Sequence, residues 1–385
     1  MNKIKPSILQ VLPALNTGGV ERGAVDIALA IREAGWTPVV VSSGGRLVRD
    51  LERAGIKHFK LPLNSKNPLV MHKNASLLSS VIYDNQINIV HARSRAPAWS
   101  AFIAAKRVGV NFITTFHGTY NSQNILKKTY NSIMTRGEYV ISISNFITDH
   151  IVTNYKNTRA KIITIPRGID LEYYNPKKVS HQRIVALSKL WRIPDGVPVI
   201  MLPGRLTRWK GHRVLLEALS VIEKQKFRCL FVGDIQNNIS YQKELQSIIR
   251  NKNLEGVVHI VGHCSDMPAA YMLSDIVVSP STDPEAFGRV AVEAQAMGCI
   301  VLASSHGGSK ETIIDGETGW LFKNKDFSEL SNIISKVLSL NTDEREILAK
   351  KSRSNVNINY SLEGMQKSTI NVYNEIISDL QNKEQ

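Results

Sequence analysis

Short apolar runs alternate with amphipathic helical patterns along this chain, and that alternation constrains its fold more than any other feature. Residues 8–12, 39–41, 89–91 and 112–116 read as strands. Val20, Ala24, Ile27, Ala28 and Ile31 mark the face of a first helix, and further helices are expected over 96–108 and 125–134. Residues 199–202, 229–232, 257–261 and 276–278 continue the strand pattern in the second half. Strands that alternate with helices pair in parallel, in a sheet covered on both faces. Such sheets gather ligands at the carboxyl ends of their strands. With 385 residues the chain is long enough for two domains of this class, each with its own core.

The candidate site residues fall at those strand ends. Gly18-Gly19 opens the first helix and allows close backbone approach to a ligand, or serves as a plain turn. No G-x-G-x-x-G occurs there, so a dinucleotide fingerprint is not supported. His91-Ala92-Arg93-Ser94-Arg95 ends one strand and Phe116-His117-Gly118-Thr119 the next. A lone histidine in such a place is more often structural, but two of them, one followed by Gly, favour a site. Ser142-Ile143-Ser144-Asn145 reads as a helix cap. Pro166-Arg167-Gly168-Ile169-Asp170 reads as a turn at the edge of the first domain, with the polar stretch 175–183 as the linker.

In the second half, the loop from Gly204 to Gly211 leads into a helix. Its Arg205 and Lys210 suit a diphosphate, one as a planar fork and the other as a compact charge, or are plain surface charge. No Gly precedes Lys210 and no Ser or Thr follows it, so this is not a P-loop. Gly233 and Gly262 end two further strands. Around Glu285-Ala286-Phe287-Gly288 the pattern is strand, loop, helix, with Glu285 at the helix head and Glu293 about two turns inside, roughly 12 Å along the axis. That is about the reach from the sugar of a nucleotide sugar to its ribose, and the free N–H groups of the helix start would face the diphosphate between. The plainer alternative is a pair of solvated glutamates on an amphipathic helix.

Charge is unevenly placed. Residues 1–190 carry 26 Lys and Arg against 10 Asp and Glu, a net +16, whereas residues 191–385 carry 22 against 23, a net −1. A basic half suits nucleic acid, an anionic membrane surface or an acidic substrate, and solubility alone accounts for it equally well. No apolar run approaches the roughly 18 residues of a membrane span. The start, Met1-Asn2-Lys3-Ile4-Lys5-Pro6, lacks the features of a signal peptide, so a cytoplasmic location is expected. Cys229, Cys264 and Cys299 are far apart, form no metal-type pair and are expected as reduced thiols.

Together, Gly18-Gly19, His117 in Phe-His-Gly, Arg167-Gly168-Ile169-Asp170, Gly204-Arg205 with Lys210-Gly211, Gly262, and Glu285-Ala286-Phe287-Gly288 with Glu293 occur in a familiar order. The chain resembles, over nearly its whole length, the retaining glycosyltransferases of family 4. In finer texture, the segments 16–23, 65–68 and 91–99 resemble alphaproteobacterial lipopolysaccharide-core mannosyltransferases. The resemblance implies an α/β GT-B fold, with two Rossmann-like domains facing each other across a cleft. Residues 1–175 would bind the acceptor and residues 190–361 the nucleotide sugar. A C-terminal helix over 362–380, with Met365, Ile370, Tyr373 and Ile377 on one face, would cross back to the first domain. The implied catalytic residues are His117, Arg205, Lys210 and Glu285. Donor binding is implied for Gly18, Gly19, Arg205, Lys210, Gly262, Glu285, Phe287, Gly288 and Glu293. Ala286 stands where many members carry Pro.

The implied reaction moves a hexose, with mannose from GDP-mannose the first expectation and a UDP-sugar the second, onto a lipopolysaccharide-core or similar membrane-bound, lipid-linked glycan. As the diphosphate leaves the anomeric carbon, Arg205, Lys210 and the helix start would stabilise it electrostatically. No Asp-x-Asp motif occurs, so neither a divalent metal nor a cofactor is expected. Retention is implied by the resemblance, and no carboxylate is an evident covalent nucleophile, which favours a front-face mechanism. A GT-B nucleotide-sugar epimerase, needing no acceptor, is the rival enzyme. A nucleic-acid binder would account for the sequence pI near 9.6 but not for the neutral second half, so no nucleic-acid partner is expected. Lys127-Lys128, with Arg46, Arg49, Arg53, Lys57 and Lys60, suit peripheral attachment to an anionic inner-membrane surface. Ile125, Leu126, Tyr130, Ile133 and Met134 can share one helix face, which either inserts there or packs on the sheet.

Overall fold

The computed structural model describes residues 5–16, 18–120, 124–223, 227–235 and 238–383, so the first four residues and Thr17 of the segment 16–23 lie outside the described residues. The chain forms two compact units, Met1–Gly168 with Leu362–Gln385, and Ile169–Ser361.

The first unit is built on seven strands: β1 (Ser7–Val11), β2 (Thr37–Ser42), β3 (Lys57–Lys60), β4 (Ile89–Ala92), β5 (Asn111–Phe116), β6 (Tyr139–Ser142) and β7 (Lys161–Thr164). They lie in the order β3-β2-β1-β4-β5-β6-β7, and every pair is parallel. Val39, Val40 and Val41 are all fully buried, as an apolar run must be when both faces of its sheet are covered. The helix Gly19–Glu33 and the C-terminal helix Leu362–Lys383 contribute to one core, in which Ile27 and Ile31 meet Val372, Tyr373 and Ile376 over Ile8 and Ile113. The expected return of the last helix is therefore present, and Met365, Ile370 and Ile377 pack at the margin of that core.

His91 belongs to this core. Its Nδ1 lies 2.6 Å from the Tyr373 hydroxyl and its Nε2 2.6 Å from Thr115 Oγ1. Burial, reinforced by Arg93, holds its pKa well below the ordinary histidine value. Two satisfied nitrogens in a dry setting make it a structural residue.

Two expectations need correction. The segment 125–134 does not form one helix with one apolar face. An α-helix over Ile125–Asn131 tightens into a 3-10 turn over Ser132–Thr135. That tightening turns Ile133 and Met134 into the core while Ile125 and Leu126 stay 79% and 75% exposed. Nor is the stretch 175–183 a linker. Asn175 caps a 3-10 turn over Pro176–Lys178, the helix His181–Trp191 starts inside the stretch, and Arg183 pairs with both oxygens of Asp266 at 2.8 and 2.5 Å. Its polarity reflects capping and pairing.

The second unit holds six strands: β8 (Val199–Pro203), β9 (Arg228–Val232), β10 (Val258–Gly262), β11 (Ile276–Ser279), β12 (Ile300–Ser304) and β13 (Trp320–Phe322). The order is β10-β9-β8-β11-β12-β13, again parallel throughout. Chain order reverses between β8 and β11, and loops that leave the carboxyl ends of such neighbours open a crevice. Both units thus have the parallel sheet that the alternation predicts and the Rossmann-like order that the resemblance implies. The three cysteines are unbridged, and burial raises the Cys229 and Cys299 thiols above their ordinary pKa.

His212 opens the helix His212–Ser220 and packs edge-on against Phe231 and Tyr241, with ring centroids 5.0 and 5.9 Å away. Burial, then Lys210, lowers its pKa to about 4. Because the unfolded chain binds this proton more tightly, the stability contributed by neutral His212 is complete above pH 6.5 and is lost as pH falls from there toward 4. Denaturant unfolding of the wild type from pH 7 to 5 is expected to show that decline. His212→Gln should flatten it by about 1.4 kcal/mol per pH unit, whereas an unchanged slope would show that the imidazole does not carry it.

Candidate active site

The loop after β8 and the loop after β11 leave adjacent strands and are tied to each other by backbone. Thr282 N donates to the Trp209 carbonyl at 2.7 Å. Gly211 sits at φ +75°, where a Cβ would lie 1.8 Å from the Pro280 carbonyl oxygen. Only glycine meets both the left-handed backbone and the close approach. Gly233, at the end of β9, comes as close to the Gly204 carbonyl, so the start of the loop is packed from the other side.

This packing brings Lys210 against Glu285, 75 positions away, with Nζ 2.6 Å from Oε1. Ser281 Oγ donates to the same oxygen at 2.7 Å. The two side chains are only 13% and 15% exposed, so the pair is drier than a surface salt bridge and stronger for it. Lys210 Nζ also lies 4.3 Å from the Trp209 ring centre. Among the described residues Glu285 Oε2 accepts no hydrogen bond, and Lys210 has three N–H groups of which the pair uses one. Arg205, on the same loop, is exposed.

The Glu285 backbone is held by the Gly307-Gly308 turn. Gly308 N donates to the Glu285 carbonyl at 2.8 Å, and a Cβ on Gly307 would lie 2.5 Å from that oxygen. Gly288, at φ +89°, ends the loop and caps the helix Arg289–Ala296. Phe287 turns its ring inward against Tyr360, with centroids 5.6 Å apart, so its backbone rather than its ring faces the loop.

Glu293 is the fifth residue of that helix, about one turn in rather than two. It is 7% exposed, and both its oxygens are engaged, Oε1 by Arg289 Nε at 2.6 Å and Oε2 by the Tyr271 hydroxyl at 2.9 Å. Burial, then the Glu293 charge, pushes Tyr271 and Tyr174 well above the ordinary tyrosine pKa. Burial disfavours the Arg289 cation, but Glu293 outweighs it and raises its pKa. Tyr271, Tyr174, Ser281 and Arg289 are not among the residues expected from the sequence. Of these, only Arg289 left a signal, its i,i+4 spacing from Glu293.

The remaining expected residues lie apart from this cluster in sequence or setting. Gly262, at φ +76°, ends β10 in open surroundings and accepts from Gly233 N at 2.7 Å. In the first unit, Gly18 is extended at φ −154° and the Glu21 carboxylate folds back over it, while the Gly19 carbonyl accepts from Arg167. His117 follows β5, and among the described residues neither of its ring nitrogens has a hydrogen-bond partner. Among the described residues no group of three His, Cys, Asp or Glu is placed to hold a metal.

Residues 17–173 match the description Glycosyltransferase Family 4, and residues 186–355 match Glycosyl transferases group 1. A crystal structure of a glycosyltransferase from Rickettsia africae is similar at 41% identity and a TM-score of 0.90, covering 97% of this chain and 99% of that one. An Anabaena protein crystallised with UDP and glucose shares the fold, with a TM-score of 0.82 at 23% identity over 95% of this chain and 99% of that one. The lipopolysaccharide 1,2-N-acetylglucosaminetransferase of Salmonella typhimurium is 29% identical over 54% of this chain and 54% of its own, so the chain spans about half of that relative.

The packing of the two loops is tested by comparing Gly211→Ala with Gly256→Ala, which shares a positive φ of +72° but has nothing within 4 Å of its Cβ. Gly256→Ala should cost about 1–2 kcal/mol in urea unfolding, the strain of a left-handed residue. Gly211→Ala should cost at least about 1 kcal/mol more, because Pro280 must also move. Equal costs would mean that the approach of the loops is not close.

Proposed function

Because the chain belongs to the glycosyltransferases, its two halves matching family 4 and group 1 in turn, we propose that it transfers a hexosyl group from a nucleoside-diphosphate sugar to a glycan acceptor of the cell envelope. The observation that carries this reading is the Lys210–Glu285–Ser281 cluster at the reversal of strand order in the second unit. In this reading Lys210 and Arg205 neutralise the diphosphate as it leaves, without a divalent metal. Glu285 Oε2 accepts from a hydroxyl of the donor sugar, and the backbone from Ala286 to Gly288 lines the same ligand. Glu293, oriented by Arg289 and Tyr271, accepts from the ribose. Gly262, and Gly18 and Gly19 of the first unit, give close backbone approach to the donor. His117 faces the reacting sugar, and transfer proceeds with retention by a front-face route.

For the donor, a UDP-linked hexose is the better supported choice. The Salmonella relative is named an N-acetylglucosaminetransferase, and the Anabaena protein of the same fold was crystallised with UDP and glucose. GDP-mannose rests on sequence texture alone. In a thermal-shift comparison, UDP at 100 times its dissociation constant should stabilise the protein by roughly 2.7 kcal/mol. A shift with GDP and none with UDP would reverse the choice. Lys210→Ala and Arg205→Ala should each lower kcat about 100-fold, the scale for losing a preorganised charge, and EDTA should leave wild-type turnover unchanged. Near-native turnover in both variants would remove the diphosphate assignment.

No helix among the described residues is long and apolar enough to cross a membrane. We assign instead a peripheral contact at the exposed Ile125 and Leu126 beside Lys127 and Lys128. Each lysine near an anionic surface contributes about 1 kcal/mol. Lys127→Glu with Lys128→Glu is expected to weaken sedimentation with anionic vesicles. About 0.5 M salt should abolish it, since the screening length is then roughly 4 Å. Equal sedimentation with neutral vesicles would count against the contact.

A further inference from the structure

The first unit contains a basic pocket at the carboxyl ends of its central strands, lined by Gly23, His91, Arg93, Thr115, His117 and Arg167 among apolar neighbours. Its volume of about 20 Å³ admits one water-sized group. Arg93 is 5% exposed and donates from Nε to Gln10 Oε1 at 2.6 Å. The guanidinium also interacts favourably with the Tyr373 hydroxyl, but among the described residues its Nη2 has no hydrogen-bond partner and no carboxylate pairs with it. Asp26, the acidic residue whose charge reaches Arg93, is bonded to Arg22 at 2.9 Å. Both ring nitrogens of His117 are buried, and among the described residues neither has a partner. The partly exposed Arg167 and Met365 form the rim.

The pocket is also shaped around its charge. A Cβ on Gly23 would lie 2.6 Å from Arg167 Nη2, so the helix Gly19–Glu33 carries glycine where the guanidinium rests. Gly23 is mid-helix, where glycine is a poor choice unless something must approach closely. A buried guanidinium with no carboxylate bonded to it is costly, and a buried donor without an acceptor adds to the cost. One oxygen of an anion answers both. Burial, followed by Arg167 and Arg93, keeps the His117 ring neutral, so it offers one N–H without adding charge.

We propose that this pocket is an oxyanion site, taking one oxygen of a substrate phosphate or carboxylate between Arg93 Nη2 and a His117 ring N–H, with the rest of the group at the Arg167 rim. That the group is carried by the glycan acceptor rests on the transferase reading; the site itself does not.

The test is a titration of the intact protein with inorganic phosphate and, separately, with acetate at fixed ionic strength. It follows the His117 ring ¹⁵N resonances, assigned with His117→Asn. Saturable movement is expected, weakened tenfold or more in Arg93→Gln and unchanged in Lys210→Ala, which removes a charge from the other unit. Gly23→Ala, which displaces Arg167, should weaken it as well and serves if Arg93→Gln does not fold. Response to phosphate alone assigns the site to phosphate groups, and response to acetate alone to carboxylates. Absence of saturable movement with either anion, or an undiminished response in Arg93→Gln and Gly23→Ala, overturns the proposal. No transfer reaction enters this assay, so its failure leaves the transferase reading standing, and failure of donor binding leaves the pocket standing.

Discussion

The second unit depends on one constraint, that β8 and β11 are hydrogen-bonded neighbours although 72 residues lie between them in the chain. Parallel pairing sends both strands out of the sheet at the same edge, and their loops have to share the space there. Glycine at 211 and the Thr282–Trp209 bond let the loops touch along their backbones. Lys210 and Glu285 are then held at 2.6 Å by the scaffold, with little freedom of their own to lose when a ligand arrives. Catalytic electrostatics gain most from charges fixed in this way.

The two glutamates of the candidate site are in contrasting states. Glu285 takes both its donors on one oxygen, which keeps the other available. Glu293 has a donor on each oxygen and little contact with solvent. The first can exchange partners at modest cost, whereas the second would leave the buried Tyr271 hydroxyl unsatisfied and take the carboxylate from a half-exposed Arg289 if it moved. Their proposed roles follow this division, with Glu285 near the changing chemistry and Glu293 a fixed point.

Strand and helix alternation was legible because buried parallel strands are apolar runs that stand out from amphipathic helices. Residues 8–12, 112–116 and 276–278 each fall within a residue or so of an actual strand. Lys57–Lys60, Lys161–Thr164 and Trp320–Phe322 were missed, because each is short and either begins or ends with lysine or holds only three residues. In the site, loops were readable from glycine and charge, but contacts across the fold were not. The Lys210–Glu285 pair is set by strand order, which periodicity does not encode, and Tyr271 carries no local mark of its bond to Glu293. The helix 125–134 failed for a different reason: a tightened last turn shifts the angular position of every residue after it, so a face drawn with 3.6 residues per turn no longer applies.

The C-terminal helix gives the first unit a discontinuous chain, and this has a bearing on how the protein comes into being. Tyr373 stands 282 positions from His91, whose ring it holds, and Val372 and Ile376 complete the core around Ile8 and Ile27. During synthesis from the amino terminus, the seven-stranded sheet is finished long before the residues that cover it are made. The second unit, by contrast, is one uninterrupted segment, Ile169–Ser361. It has its full complement of residues first, although it lies second in the chain. Until the last helix arrives, the partly formed first unit exposes apolar surface, so the order of completion runs opposite to the order of translation.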